Sequence, residues 1–281
     1  MNSPTWIDCG MPAVLDFSGP DAVRFLNGQL TQDLRAVATE GPSLPSCVTD
    51  PKGKLQFRGG CPGGGGESIW IDAPSDVADA LMQRLTRYLV ADDVEVVDLT
   101  GRFRLWHWLG SAPETPPKVI ARRSRRYGVD GCDWWMPTEV SFAPPAGSKR
   151  LEGDVLEDFR IRHGVPAWGR ELTEGMLPPE AGLDATDISY HKGCYIGQEV
   201  ISRIKHAGKV NRRLVSIQIP ADVDLGDGRL TGVDASEVGV ITSVSPLLVN
   251  GVHHALGYLK RGADSIFIGG HQVYPEKVPE Q

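Results

Sequence analysis

Cysteine is scarce in this sequence, and its few copies are scattered. The 281 residues include five, namely Cys9, Cys47, Cys61, Cys132 and Cys194, and no two of them form a Cys-x-x-Cys pair. An odd number of widely spaced thiols argues against a disulfide framework and against a resident zinc or cluster site within one chain. Free thiols are typical of a reducing compartment, so we expect a cytoplasmic protein without a metal of its own.

Long apolar runs and an excess of basic residues are missing as well. No apolar stretch approaches the roughly 20 residues of a membrane-spanning helix, and the start of the chain does not resemble a signal peptide. The formal net charge is -7, from 29 Lys and Arg against 36 Asp and Glu. This balance argues against direct nucleic-acid binding, since phosphate contacts need a basic surface. We therefore expect neither a membrane nor a nucleic acid among the partners.

The glycine-rich stretch carries no phosphate-binding signature. A P-loop needs Gly-Lys-Ser/Thr at the start of a helix, whereas a glutamate and a strand-like run follow the glycines at 63–66. We therefore expect residues 61–66 to form a flexible loop. The local basic cluster at 122–126 predicts a solvated turn or strand face.

Reactive side chains are concentrated in one stretch, residues 192–200. Its functional side chains and its glycines are Lys192, Gly193, Cys194, Tyr195, Gly197, Gln198 and Glu199. Glycines beside reactive side chains permit a positive φ or close approach to a ligand. Basic residues on both sides of Cys194 would favour the reactive thiolate form.

Two interpretations of Cys194 are open at this point. A free cysteine is commonly a small buried hydrophobe. The neighbouring Tyr, Gly, Gln and Glu residues make no apolar face at strand or helix period, which favours a functional thiol. Gln198 and Glu199 would order the loop or contact a ligand, and a role as helix-capping or turn-bonding side chains explains them equally well. His206, twelve residues further on, is a candidate partner for the thiol.

The pattern Lys-Gly-Cys-Tyr-x-Gly-Gln-Glu at 192–199 resembles the signature of the YgfZ-type folate-binding family. Members of that family are relatives of the glycine-cleavage T-protein, an aminomethyltransferase, and are linked to the assembly or repair of iron-sulphur enzymes. Weaker similarity to the superfamily covers residues 19–34 and 239–246 and extends over nearly the whole chain. The resemblance implies an α+β, T-protein-like fold, with two interleaved α/β-layer domains around a central pocket plus a small C-terminal β-barrel.

The order of predicted elements agrees with that fold class. Strands interleaved with helices, without regular βα alternation, favour α+β layers, and short strands between Gly/Asp turns near the end of the chain favour a closed barrel. We expect residues 1–50 with 146–205 to form the central folate-pocket domain. Residues 51–145 would form a second α+β domain, and residues 206–281 the barrel.

The resemblance also implies which residues bind tetrahydrofolate or a derivative of it. The candidates are Asn27, Gln29, Thr31, Asp33, Arg162, Trp168, Glu180 and Arg203. The first four lie in a segment whose apolar spacing predicts a helix over residues 21–34, whereas the resemblance implies a helix followed by a loop there. Trp168 would stack on a flat ring or pack in a core. Arg203 and Lys192 would meet the glutamate tail of folate or stabilise a thiolate.

Two departures from the superfamily pattern bear on activity. Where aminomethyltransferases carry a catalytic aspartate, this chain has Phe57 and Arg58, neither of which can accept a proton. Where they carry the glutamate that recognises the pterin, it has Arg162, so recognition would pass to Glu171 or Glu180. Both departures argue against T-protein chemistry, even in a chain that binds folate.

The main hypothesis is therefore a tetrahydrofolate-binding accessory protein that supports iron-sulphur enzymes, with Cys194 as the working thiol. Its partners would be folate and iron-sulphur enzymes or cluster carrier proteins, because one cysteine cannot hold a cluster alone. The alternative is a folate-dependent one-carbon transferase of the aminomethyl type. A third possibility is a docking module in which basic residues 203–213 bind an acidic or RNA-bearing partner.

Overall fold

The computed structural model describes residues 3–37, 41–65 and 68–278. Over these ranges the chain divides into two compact units. Unit 1 contains Met1–Leu151 and Thr186–Gln198, and unit 2 contains Glu152–Ala185 and Glu199–Gln281. The three-domain division expected from the sequence stays a prediction.

Strands dominate the described residues, and short helices interrupt them. The strands are β1 (Thr5–Asp8), β2 (Ala13–Ser18), β3 (Leu44–Thr49), β4 (Leu55–Cys61), β5 (Gly63–Gly65), β6 (Ser68–Ala73), β7 (Glu95–Asp98), β8 (Phe103–Leu109), β9 (Ile120–Ser124), β10 (Gly131–Pro137), β11 (Lys149–Leu151), β12 (Arg212–Pro220), β13 (Arg229–Thr231), β14 (Glu237–Val249), β15 (Val252–Lys260), β16 (Ile266–Ile268), β17 (His271–Val273) and β18 (Pro275–Lys277). The α-helices are α1 (Ala22–Gln29), α2 (Ala78–Thr86), α3 (Gly153–Arg162) and α4 (Gln198–Ala207). Short 3-10 turns lie at Leu34–Ala36, Ser75–Val77 and Pro178–Ala181.

Unit 1 is built in layers from two sheets and a pair of helices. One sheet has the order β3-β4-β6-β2-β7, with β5 beside β6, and the other has the order β11-β1-β8-β10-β9. Because successive side chains in a strand point to opposite faces, β2 serves two layers. Val14 packs with Leu105 and Trp135 of the second sheet, whereas Leu15 and Phe17 pack against α1 and α2.

A polar network lies between the two sheets of unit 1. Arg126 Nη1 and Nη2 donate to the two carboxylate oxygens of Asp72 at 3.0 and 2.8 Å, and Nη2 also donates to Asp133 at 3.0 Å. His107 Nδ1 lies 2.7 Å from Asp133 Oδ1. The solvated face predicted for residues 122–126 is therefore wrong for Arg126, because two buried aspartates hold it inside.

Two local predictions in unit 1 are also corrected. Helix α1 ends at Gln29 instead of continuing to residue 34, because Leu30 forms an isolated β-bridge with Val48. The loop expected over residues 61–66 is partly strand: β4 reaches residue 61, and β5 pairs with β6. Gly64 packs so closely on the indole of Trp70 that a Cβ would lie 2.1 Å from its Nε1. Gly66 lies outside the described residues.

Unit 2 contains the C-terminal sheet and α3. The sheet has the order β17-β16-β13-β14-β15-β12-β18 and curls into a nearly closed barrel, which confirms the barrel predicted from the strand pattern. Its core includes Ile217, Leu230, Ala255 and Ile266, and α3 packs on β14 and β15. None of the helices in the described ranges is both long and apolar enough to cross a lipid bilayer.

Candidate functional site

The motif lies on Thr186–Gln198, here called the cysteine segment, except for its last residue, Glu199, which belongs to unit 2. This segment belongs to unit 1, although the chain immediately before and after it belongs to unit 2. Its start is tied to the loop after α1: Gln32 Nε2 donates to the Thr186 carbonyl at 2.7 Å, and Thr31 Oγ1 to the Asp187 carbonyl at 2.6 Å. Non-covalent contacts therefore decide where the motif sits in unit 1.

The end of the cysteine segment is anchored by backbone contacts. The Ile196 amide donates to the Gly28 carbonyl at 3.2 Å, and Thr49 Oγ1 donates to the Ile196 carbonyl at 2.6 Å. Gly197 has a φ of +89°, and a Cβ there would lie 2.5 Å from the Asp50 carbonyl oxygen. Only glycine fits this position, which explains physically why the motif has a glycine here.

Lys192 turns its side chain into unit 1. Its Nζ donates to the carbonyls of Leu30 and Gln32, both at 2.7 Å, and lies 5.3 Å from the centre of the Tyr195 ring. Burial lowers the pKa of Lys192 to about 8. Burial also raises the pKa of Tyr195, whose hydroxyl has no hydrogen-bond partner among the described residues. The ammonium group is thus engaged in fixing the backbone beside Cys194.

Stability in alkaline solution is expected to depend on Lys192. Its pKa is about 8 in the folded protein against an ordinary value of 10.5, so the unfolded chain binds more protons between these values. The contribution of Lys192 to the free energy of unfolding therefore rises with pH across this window, by at most about 3 kcal/mol.

Urea denaturation at several pH values from about 7 to 10.5 measures this rise. Tyrosines and cysteines titrate in the same range, so the quantity to compare is the difference between the wild type and Lys192→Met. The free energy of unfolding of the wild type should rise relative to that of Lys192→Met as the pH increases. Parallel pH profiles for the two proteins would contradict the prediction.

Cys194 differs from the other cysteines in its exposure. All five cysteines lie in the described ranges as free thiols. Cys194 is exposed, whereas the other four are buried or half-buried. Burial raises the pKa of Cys9 to about 12 and that of Cys132 to about 11, and it raises those of Cys47 and Cys61 as well. Those four thiols are held neutral, whereas Cys194 is open to a reaction partner.

An ion pair absent from the sequence-based candidates lies at the start of the cysteine segment. The Asp187 carboxylate is fully buried and accepts hydrogen bonds from Arg58 Nε at 2.7 Å and Nη2 at 3.3 Å. Thr186 Oγ1 donates to Asp187 Oδ1 at 2.7 Å, and Cys47 Sγ lies 3.9 Å from Oδ2. Burial alone would lower the pKa of Arg58, but the charge of Asp187 raises it above its usual value.

The four folate candidates from residues 27–33 all have partners within unit 1. The pairs are Asn27 Oδ1 with the Leu34 amide (3.0 Å), Gln29 Oε1 with Arg84 Nη1 (2.9 Å), Thr31 Oγ1 with the Asp187 carbonyl (2.6 Å) and Asp33 Oδ1 with Arg35 Nε (2.9 Å). The contacts of Asn27, Gln29 and Asp33 stabilise α1 or the loop that follows it. The contact of Thr31 supports the cysteine segment directly.

The remaining candidates lie in unit 2, where most of them are paired. The pairs are Arg162 Nη1 with Asp158 Oδ2 (3.4 Å), Glu180 Oε2 with Arg212 Nε (3.0 Å) and Arg203 Nη2 with Glu199 Oε1 (2.7 Å). Trp168 is half-buried. Glu180 Oε1 makes no hydrogen bond to any described residue, so this carboxylate keeps an acceptor for a ligand.

Glu171, the other acid suggested for pterin recognition, has no such capacity. Its Oε1 accepts from Ser243 Oγ at 2.6 Å and Thr242 Oγ1 at 2.8 Å. Its Oε2 accepts from Arg160 Nη1 and from the Ala167 amide, both at 2.9 Å. Because the Glu171 carboxylate is engaged on both oxygens, Glu180 is the better fit to a pterin, which presents N–H donors.

Comparison with known proteins finds relatives in sequence. A mouse mitochondrial protein named iron-sulphur cluster assembly factor IBA57 is 27% identical over 236 residues, which are 74% of this chain and 64% of the mouse protein. A chloroplastic Arabidopsis thaliana protein, provisionally named a transferase, is 38% identical over 293 residues, 89% of this chain and 63% of that protein. The chain thus spans slightly under two thirds of the length of these two relatives. No family model matches the sequence.

Comparison of structures finds the glycine cleavage system aminomethyltransferase T from Bartonella henselae. Its crystal structure matches with a TM-score of 0.78 at 17% identity, over 97% of this chain and 84% of that chain. The match confirms the predicted T-protein-like α+β fold. The chain thus resembles the YgfZ-type family in its motif at 192–199, is similar in sequence to proteins named IBA57, and has the fold of aminomethyltransferase T.

Proposed function

We propose that the chain is a tetrahydrofolate-binding accessory protein that supports the assembly or repair of iron-sulphur enzymes, with Cys194 as its working thiol. The observation that carries the proposal is the exposure of Cys194 on a segment that is anchored on both sides. The names of the IBA57 relatives support the iron-sulphur role.

The chemistry of Cys194 follows from its surroundings. A thiolate is a soft ligand that suits iron and its clusters, but a single cysteine cannot hold a cluster alone. An iron-sulphur enzyme or a cluster carrier protein would therefore supply the remaining ligands. Because hydrogen bonds at Lys192 and Ile196 already order the segment, little conformational entropy is lost when a partner meets the thiol.

Folate binding is proposed for residues whose chemistry suits a pterin. Glu180 has an unengaged carboxylate oxygen for ring N–H groups, and half-buried Trp168 offers a flat surface for stacking. When bound, tetrahydrofolate would supply amines that carry or accept a one-carbon unit. Titration calorimetry with tetrahydrofolate tests this part of the proposal separately from the thiol.

One-carbon transfer is the second candidate function. It is favoured by the fold of aminomethyltransferase T and by the provisional transferase name of the Arabidopsis relative. Arg58 counts against it, because this cation occupies the strand where the resemblance expects a catalytic acid, and Asp187 neutralises it. Purified protein mixed with an aminomethylated carrier and tetrahydrofolate should form no methylene-tetrahydrofolate. Its formation would favour the transferase.

Rescue of cells that lack this protein tests the role of Cys194. Wild type and Cys132→Ser should restore a cluster-dependent activity, such as tRNA thiolation or a dehydratase, whereas Cys194→Ser should not. Cys132 is the matched control because its thiol is half-buried and held neutral. Full rescue by Cys194→Ser would show that the thiol is not the working group.

The proposed compartment is the cytoplasm. All five cysteines are free thiols, which suits a reducing compartment. The relatives named above carry mitochondrial and chloroplastic names, so fractionation of the source cells is the direct measurement.

A further inference from the structure

The cysteine segment depends on side chains of unit 1 for its position. Both of its ends continue into unit 2, and its contacts with unit 1 are hydrogen bonds, packing and one ion pair with a fully buried carboxylate. The hydrogen bonds at Thr31, Lys192 and Ile196 involve backbone carbonyls or amides of the segment or of its neighbours. Such bonds are individually modest in strength, whereas those to charged groups are stronger.

Asp187 joins the segment to two different strands of unit 1. Its carboxylate binds Arg58 on β4. Its carbonyl accepts from Thr31 Oγ1, and the same hydroxyl accepts from the amide of Cys47 on β3. Asp187 is therefore held to unit 1 through both its side chain and its backbone.

At this point a buried carboxylate meets a partly buried guanidinium. Asp187 is fully buried, and the side chain of Arg58 is 18% exposed. A buried charge that loses its partner is strongly unfavourable. If Asp187 left unit 1, Arg58 would lose the carboxylate that offsets its own burial, so the pair disfavours any state in which the segment is detached.

We propose that the Arg58–Asp187 ion pair is a latch that holds the cysteine segment in unit 1, with Asp187 as a positioning residue for Cys194. The importance of that position for the cell rests on the proposed function, but the latch itself does not. The latch is a property of this chain's own pairing of positions 58 and 187. It also gives a structural role to the cation that replaces an acid on β4.

Hydrogen exchange of the purified protein tests the latch. The reporter amides are those of Ser189 and Ile196, which bind the carbonyls of Thr31 and Gly28. Asp187→Asn keeps the size of the side chain and removes its charge. We expect these two amides to exchange about 10- to 100-fold faster in the variant, while the amides of β8 and β10 keep their wild-type rates.

Two further variants separate a latch from a general loss of stability. Arg58→Met removes the same pair from the other side, and the double variant with Asp187→Asn should exchange no faster at Ser189 and Ile196 than either single variant. Asp72→Asn is the matched control, because it weakens another buried arginine–aspartate pair of unit 1. It should accelerate β8 and β10 and leave the two reporter amides unchanged.

The outcomes are distinct. Wild-type exchange at Ser189 and Ile196 in Asp187→Asn, or equal acceleration there in Asp72→Asn, would overturn the latch. Neither measurement requires folate or an iron-sulphur partner. If the exchange pattern appears and Cys194→Ser still rescues cells, the latch stands and the proposed function fails.

Discussion

Replacement of Arg126 by methionine is expected to lower the free energy of unfolding of unit 1 by about 3–5 kcal/mol. Arg126 is the cation between the two sheets, and it binds Asp72 and Asp133 at distances of 2.8–3.0 Å. Both aspartate side chains are at most 3% exposed. Methionine fills much of the space but leaves two carboxylates buried without a cation.

Tryptophan fluorescence during urea denaturation measures this loss. Six of the seven tryptophans are in unit 1, with Trp168 in unit 2, so the signal mainly reports unit 1. The control is Arg24→Met, which removes the ion pairs with Asp21 and Asp92 of an arginine that is 67% exposed, and surface pairs contribute little. Equal midpoints for Arg126→Met and Arg24→Met would refute the expectation.

The decrease in the free energy of unfolding caused by Arg126→Met should depend on pH. Burial alone would raise the pKa of Asp133, but Arg126 and His107 lower it to about 2. In the wild type, this carboxylate therefore contributes stability that is fully present above its ordinary pKa of 3.8 and is lost as the pH falls towards 2. In the variant, unpaired buried carboxylates take up protons more readily, so the difference from the wild type should shrink in acid.

Replacement of Glu171 by alanine is expected to lower the stability of unit 2 by a similar amount, about 3–5 kcal/mol. The change removes the acceptor for Arg160, Ser243, Thr242 and the Ala167 amide at once. Buried donors that lose their acceptor bear the full cost of desolvation.

Exchange of the amides in β14 and β15 measures the loss in unit 2. Glu157→Ala is the matched control, because Glu157 pairs with the same Arg160 but its side chain is 28% exposed. It should cost about 1 kcal/mol or less. Equal effects of the two variants would show that burial does not decide the strength of these contacts.

The site was predictable where its residues are neighbours in the chain. Residues 192–199 stand out because a thiol, an amine, a carboxamide and a carboxylate occur together, and the structure explains the need for Gly197. Asp187 has no such local signal. Its partners Arg58 and Thr31 lie 129 and 156 residues away, and pairing over such distances depends on the fold. An arginine on a strand that exposes none of its residues fully was the available hint that an acid must lie nearby.

The fold was predictable where side chains alternate. The barrel of unit 2 follows from short strands separated by turns, and the structure contains it. β5 was missed because three glycines show no alternation. In the structure these glycines pair with β6, and Gly64 lies against the indole of Trp70. The apolar spacing missed the early end of α1 for the related reason that Leu30 continues the spacing but pairs with a strand. The helix and loop implied by the resemblance agree with the structure.

The division of the chain between the units has a consequence for synthesis on the ribosome. The first 151 residues emerge before any of the cysteine segment, which begins 35 residues later and ends 47 residues later. At about 5–20 residues per second, the delay is about 2–9 s. During this time the nascent unit 1 carries Arg58 without Asp187. Slower translation between codons 152 and 198 would lengthen the interval in which a chaperone can bind the surface of unit 1 around Arg58 that the cysteine segment later covers.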